Sequence, residues 1–264
     1  MGGTYGPYSG GLTPPSGLTP PSGLIDQLLA RCDFPTPGTW VTCAVSGGAD
    51  SLALLVLAVY AELDVTAVHI DHGLRDGSAA EALVVAAAAE RFGAQFRSER
   101  VEIDPSAPNL EQEMRLARQR VLGRRALTGH TADDQAETVL INLMRGAGVA
   151  GLGGMSPGGT HPILALRRHE THTLCHDLGL TPVDDPSNRD RRFVRNRVRH
   201  EVLPLLDEVS GRDLVPLLVR TADHLRQTAD DLAQLSDELD PTDTRMLARQ
   251  PRSVAISALR GWLR

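Results

Sequence analysis

The chain has 264 residues, a formal net charge of −6 and no lysine, so all 27 of its fixed cations are arginines. That length suits one sizeable core and a smaller second unit, and the acidic balance argues against a generally basic nucleic-acid-binding protein. Without lysine there is no Schiff base, no lysyl-adenylate and no lysine clamp on phosphate. The cysteines Cys32, Cys43 and Cys175 form no C-x-x-C pair, which fits a reducing cytoplasm and neither a disulfide framework nor a zinc site. Cys43 lies in an apolar strand and reads as a small buried hydrophobe. No signal peptide or apolar run of membrane length is visible, so a soluble cytoplasmic protein with no membrane partner is expected.

Residues 1–23 are rich in Gly, Pro, Ser and Thr and contain GLTPPS twice, at 11–16 and 17–22. Such a tail buries too little apolar surface to offset its ordering entropy, and it reads as disordered. Strands are predicted at 39–45, 64–70, 94–103 and 125–129, with helices at 51–62, 78–92, 109–122 and 132–145. The alternation predicts an α/β fold, doubly wound around a mainly parallel sheet, spanning residues 24–190. Ligands in such sheets sit beyond the carboxyl ends of the strands. The segment 146–159 holds seven glycines in fourteen residues and reads as a mobile loop. After a helix at 168–178, residues 191–264 read as a small helical domain with helices at 197–209, 213–237 and 251–264.

Four segments could carry chemistry. The first is Ser46-Gly47-Gly48-Ala49-Asp50-Ser51, a glycine-rich turn between strand and helix that presents bare N–H groups and a positive helix end to phosphate. It is not the common P-loop, which requires a lysine. Asp50 is odd in an anion cradle unless it holds a cation, such as Mg²⁺ bridging to ATP phosphates; a helix cap is the plainer role. The second segment places His130, Asp133, Asp134 and Glu137 within two turns after Gly129, where metal-ligand, general-base and amine-binding roles are all open. The third is the run from His69 to Arg75, which includes Asp71 and His72 and suggests a nucleotide edge or phosphate contact. The fourth is the stretch 189–199, with six arginines in eleven positions. It makes a local positive field suited to phosphate. A looser set comprises Arg115, Arg118, Arg120, Arg124 and Arg125.

Together these motifs resemble the PP-loop ATP pyrophosphatases and, within them, the tRNA(Ile)-lysidine synthetase family. SGGADS matches the pattern SGGxDS. VHIDHGLR, TGHTADDQAET, RGAGVAGLGGM and DPSNRDRRFVRNRVRHEVLPLL follow in the family's order, and the resemblance covers roughly residues 24–220. It implies an adenine nucleotide alpha hydrolase-like fold and an ATP-dependent ligase. Such an enzyme adenylates carbon 2 of the wobble cytosine in the CAU anticodon of tRNA(Ile), and the ε-amino group of free L-lysine then displaces AMP. By the same resemblance Ser46–Ser51, His72, Arg75 and Gly129 bind ATP, with Asp50 on Mg²⁺. His130, Asp133, Asp134 and Glu137 would serve the lysine amine and the base. Arg115, Arg192, Arg195, Asn196 and Arg199 would contact tRNA. A homodimer is left open.

The chain departs from the family in three places. No tyrosine follows Arg115-Leu116-Ala117-Arg118, His161-Pro162-Ile163-Leu164 stands where R-P-L-L is usual, and a connection of only Gly123 and Arg124 predicts a distorted fourth strand. A tRNA thiolase of the same superfamily is the runner-up, although it lacks paired cysteines here. An amidotransferase-type synthetase acting on a small acid leaves the arginine cluster without a reason, and a decayed non-catalytic PP-loop domain binding nucleotide or RNA is a further reading.

Overall fold

The computed structural model describes residues 22–71, 78–101 and 120–263. Residues 1–21 of the expected disordered tail, His72, Arg75, Arg115, Arg118 and most of the helix expected at 109–122 lie outside them, while Ser22 and Gly23, the end of that tail, are helical. The chain divides into two compact units, one formed by residues 1–131 and 157–185 and the other by 132–156 and 186–264.

The first unit is built on a four-stranded sheet of β1 (Trp40–Ala44), β2 (Asp64–Asp71), β3 (Gln95–Arg100) and β4 (Leu127–Thr128), in the order β3-β2-β1-β4. All pairs are parallel, with Cys43 opposite both Ala67 and Leu127. The α/β class and parallel sheet expected from the alternation are therefore present, and the strand ends fall within a few residues of those predicted. Helix Ala49–Tyr60 is buried almost all round, as an apolar helix within a core must be. β3 is an exposed edge studded with Arg97, Glu99 and Arg100, and charges of this kind discourage edge-to-edge pairing. Helix Ser22–Leu29 packs Ile25 and Leu28 into the same core, although no helix is expected there from sequence.

From β1 the chain winds outward to β2 and β3, and β4 then lands on the other side of β1. The carboxyl ends of β1 and β4 therefore flank the topological switch point, where ligands bind in open α/β sheets. The strand expected at 125–129 is reduced to the ladder pairs Cys43–Leu127 and Ala44–Thr128. The short approach after Gly123 leaves little length for more.

The second unit is helical. Ala132, Ala136 and Leu140 form a stripe along helix Ala132–Met144 and pack with Val198, Leu203 and Val215. Helix Val194–Arg197 passes into a π-helical turn, Val198–Val202, and then into helix Leu203–Ser210. Pro204 has no N–H for the carbonyl of His200, and this missing bond accounts for the widened turn directly ahead of it. Helices Val215–Asp237 and Arg252–Trp262 complete the unit with the short Thr244–Ala248. Among the described residues no helix is long and apolar enough to cross a membrane.

The glycine-rich segment 146–159 is not the loose loop its composition suggests. It contains a helical turn, Val149–Leu152. The carbonyls of Gly153 and Met155 each accept from both Gln135 Nε2 and an Arg226 guanidinium nitrogen, and Met155 N–H donates to Gln135 Oε1 at 2.8 Å. Gly154 has φ +63°, and a Cβ there would stand 2.6 Å from Gln135 Oε1. Here glycine permits close approach rather than motion.

All three thiols are pushed up to about 12. Burial is the main cause in each; the Asp50 carboxylate adds to it at Cys175, and Arg31 opposes it at Cys32. The folded thiols should therefore resist iodoacetamide at pH 8 and react once the chain is denatured. Because the folded values are raised, their contribution to stability is complete below the usual thiol value of 9.0 and is lost as pH climbs towards 12. Urea midpoints recorded between pH 8 and 11 should fall across that window, and cysteine-to-alanine variants should flatten the fall.

Candidate active site

β1 ends at Ala44, and Val45 adds one more bond by donating its N–H to Val68 O at 2.9 Å. The loop then turns at Gly47, whose φ of +90° suits glycine. Gly48 is the N-cap, so helix Ala49–Tyr60 starts two residues earlier than expected and takes in Ala49, Asp50 and Ser51 as its first turn. Ser51 Oγ donates to Gly48 O at 2.8 Å and accepts from Ser46 N–H at 3.2 Å. Gly47 O accepts from Val183 N–H at 2.9 Å. The loop is braced at a helix N-terminus, an arrangement suited to an anion.

Asp50 is not the cap. Thr171 Oγ1 donates to its Oδ1, and Arg168 Nε lies 3.5 Å from its Oδ2. Arg168 and Thr171 open helix Arg168–Asp177, and neither stands out in the sequence, because more than a hundred residues separate them from Asp50. Glu170 anchors that helix by accepting from Arg167 N–H at 2.7 Å and from Arg31. Burial pushes the Glu170 carboxyl up, but these two donors outweigh it and hold the group below the usual carboxylate range.

Gly129 leaves β4 against this same loop. A Cβ there would stand 2.7 Å from Asp50 O and 3.0 Å from Ser51 N. Such a contact is backbone on backbone, so no side chain can move aside to relieve it. His130 follows, with Nδ1 2.9 Å from Thr128 Oγ1, and Thr128 Oγ1 donates its single proton to Thr160 O at 2.9 Å. The hydroxyl must then accept from His130 Nδ1–H, so the neutral imidazole keeps its lone pair on Nε2. The ring also lies 5.1 Å from that of His161.

His69, the first residue of the His69–Arg75 run, is buried in β2 with Nδ1 3.1 Å from Val45 O. It lies beneath the loop rather than at an open edge.

In the second unit Asp134 and Glu137 are buried and share a face of helix Ala132–Met144, while Asp133 is half-buried. Two arginines meet the buried pair. Arg195 Nε and Arg199 Nε each bond a different Glu137 oxygen at 2.7 Å, and their NH2 groups reach Asp134 Oδ1 at 3.0 and 3.3 Å. The result is a cluster of two cations and two anions around a fully buried Glu137. Elsewhere in the expected RNA-binding stretch, Arg192 pairs with Asp190 at 2.7 Å, and Arg191 and Arg197 both pair with Glu201. Asn196 Nδ2 donates to Ser187 O and Asp190 O. The arginine run is thus largely charge-matched, and its net field is weaker than its composition suggests. Arg189, Arg191, Asn196, His200 and Glu201 line a cavity of about 340 Å³.

Residues 25–206 match the family model of the PP-loop domain. The chain is 44% identical over 239 residues to a tRNA(Ile)-lysidine synthase of Nocardia farcinica, covering 84% of this chain and 75% of that protein. It is 47% identical over 194 residues to one from Mycolicibacterium paratuberculosis, covering 70% and 59%. The chain belongs to the tRNA(Ile)-lysidine synthase family. Membership of the PP-loop domain implies ATP as the bound nucleotide. Among solved structures, the U34-tRNA thiolase NcsA from Methanococcus maripaludis with its 4Fe–4S cluster has a TM-score of 0.65 at 17% identity, covering 78% of each chain. That likeness shows a shared fold.

Two variants probe this geometry. Gly129→Ala should destabilise the protein by about 1–3 kcal/mol through overpacking and weaken ATP binding in equilibrium dialysis. Arg199→Ala should leave buried carboxylate charge half-compensated and cost about 3–5 kcal/mol, read as a fall in urea midpoint. Loss of activity in that variant therefore needs a stability measurement beside it.

Proposed function

We propose that the chain ligates L-lysine to carbon 2 of the wobble cytidine of tRNA(Ile) bearing CAU, consuming ATP and releasing pyrophosphate and AMP. The observation that carries this reading is the PP-loop match over 25–206, which takes in the Ser46–Ser51 loop, the His130–Glu137 segment and the arginine stretch, in a chain 44% identical to a tRNA(Ile)-lysidine synthase. The thiolase reading has no comparable support, since thiols pushed to about 12 are protonated and poor nucleophiles at neutral pH.

In the proposed reaction the loop amides hold the ATP phosphates. The cytosine oxygen on carbon 2 attacks the α-phosphorus, and pyrophosphate leaves in line, a step that needs positioning and charge neutralisation rather than covalent help. Asp50 fits a Mg²⁺ ligand, because a single carboxylate beside a phosphate cradle is a donor set this ion takes. Among the described residues no group of three or more His, Cys, Asp or Glu side chains could hold a metal, so phosphate oxygens and water would complete its shell. When bound, the ion supplies charge neutralisation at the phosphates. Arg168 and Thr171 keep the Asp50 carboxylate aimed.

In the second step the lysine ε-nitrogen forms a bond to carbon 2 while the carbon–oxygen bond to AMP breaks. His130 Nε2 accepts the proton that the amine sheds, with its tautomer set by Thr128. Asp133 steadies the ammonium before deprotonation. Asp134 and Glu137 hold the guanidinium groups of Arg195 and Arg199 in fixed orientation, and preorganised guanidinium groups favour phosphate binding. The helical unit, with Arg192 and Asn196, is assigned to tRNA contact.

Incubation with ATP, MgCl2, labelled lysine and tRNA(Ile) bearing CAU should place label in the tRNA. Asp50→Ala should cut the rate by at least about a hundredfold, the scale of losing one electrostatic stabiliser. ATP binding by the wild type with no lysine transferred to this tRNA would remove the assignment.

A further inference from the structure

We propose that His69 is a positioning residue for ATP, holding one end of a peptide unit whose other end is held by Ser51. The proposal rests on the ATP-binding role of the loop and reaches a residue outside it. The peptide unit joining Val45 to Ser46 is the hinge between β1 and the anion cradle. Its carbonyl oxygen lies 3.1 Å from His69 Nδ1, and its N–H donates to Ser51 Oγ at 3.2 Å. Both polar groups of this unit are thus held by side chains, one from β2 and one from the first turn of helix Ala49–Tyr60. A carbonyl only accepts, so His69 Nδ1 carries the proton and Nε2 carries the lone pair.

His69 is a costly way to fill this position. It is 1% exposed, and Nε2 is the buried side-chain nitrogen or oxygen without a hydrogen-bond partner among the described residues. A buried acceptor left unmade is unfavourable, and an apolar side chain of similar size would fill the volume without that cost. What an apolar residue cannot do is donate to Val45 O.

That bond matters because the next residues resist little. Gly47 and Gly48 follow directly, and glycine populates both signs of φ with similar ease. A glycine-rich cradle loses its shape most cheaply by rotation of a peptide plane, which turns an N–H away from the anion and a carbonyl towards it. Tying both ends of the plane at 45–46 removes that rotation at the loop's root. It leaves the +90° turn at Gly47 as the next free step, and Val183 N–H restrains that turn through Gly47 O.

The test compares His69→Leu, His69→Asn and His69→Gln by equilibrium dialysis with ATP and MgCl2, alongside thermal melts. Asparagine can place its amide N–H where Nδ1–H lay, whereas glutamine places it at the depth of Nε2. His69→Leu should raise the ATP Kd about tenfold, the factor carried by roughly one hydrogen bond, with no fall in melting temperature that parallels it. His69→Asn should return the Kd to within about threefold of wild type, and His69→Gln should not. An unchanged Kd in His69→Leu, or equal values in the Asn and Gln variants, would overturn the proposal. Should His69→Leu fail to fold, the Asn–Gln comparison decides alone. Dialysis needs neither tRNA nor lysine, so a wild type that binds ATP but transfers no lysine sinks the ligase reading and leaves this comparison intact.

Discussion

The contact on which the first unit's site depends is backbone against backbone. The exit of β4 presses Gly129 onto the carbonyl of Asp50, closer than any side chain would allow. β4 is only two residues long, so its ladder with β1 cannot by itself fix where the strand ends. Thr160 supplies the rest by accepting from both the N–H and the hydroxyl of Thr128. The same hydroxyl sets the tautomer of His130. One short strand end therefore fixes both the spacing between two loops and the protonation pattern of the nearest candidate base. The strand expected to be distorted by its short connection is the one that other segments brace.

Charge follows a similar logic in both units. Asp50 lies in the first turn after the glycine loop, and the protein meets its charge with Arg168 and a hydroxyl from Thr171. Glu137, with no solvent exposure at all, is met by two arginines that also share Asp134. Buried carboxylates are tolerated only when paired and hydrogen-bonded, and each has its partner here. Because the arginines are committed in this way, their number in the stretch 189–199 overstates the free positive charge offered to a polyanion. The net positive field of this stretch is consequently weaker than six arginines in eleven positions suggest.

The sheet and its ligand-binding end were legible because strand and helix periodicities differ and because glycine-rich turns mark strand exits. The loop Ser46–Ser51 declared itself through glycine spacing, and the segment from His130 to Glu137 through the density of titratable groups. What the sequence could not reveal are partnerships across distance. Nothing local marks Arg168 or Thr171 as companions of Asp50, or assigns Arg195 and Arg199 to Asp134 and Glu137. Composition misled at the glycines as well as at the arginines. Seven glycines in fourteen residues suggest looseness, yet several permit close approach, since Gly153 lies against Arg226 and Gly154 against Gln135. Which meaning a glycine carries depends on what the fold places beside it.

The Gln135 bracket joins these observations within the second unit. Gln135 stands between Asp134 and Glu137, on the opposite side of its helix turn by sequence spacing, and is almost wholly buried. Its amide binds the glycine turn at Gly153 and Met155, while its neighbours bind Arg195 and Arg199. A rotation of helix Ala132–Met144 about its axis would strain both sets of bonds at once. The carboxylates are therefore held in orientation by hydrogen bonds made on two faces of one helix, not by hydrophobic contacts alone. Ala132, Ala136 and Leu140 supply burial that is indifferent to small rotations, whereas the flanking polar bonds are directional. That division of labour is the physical consequence of a buried glutamine between two buried acids.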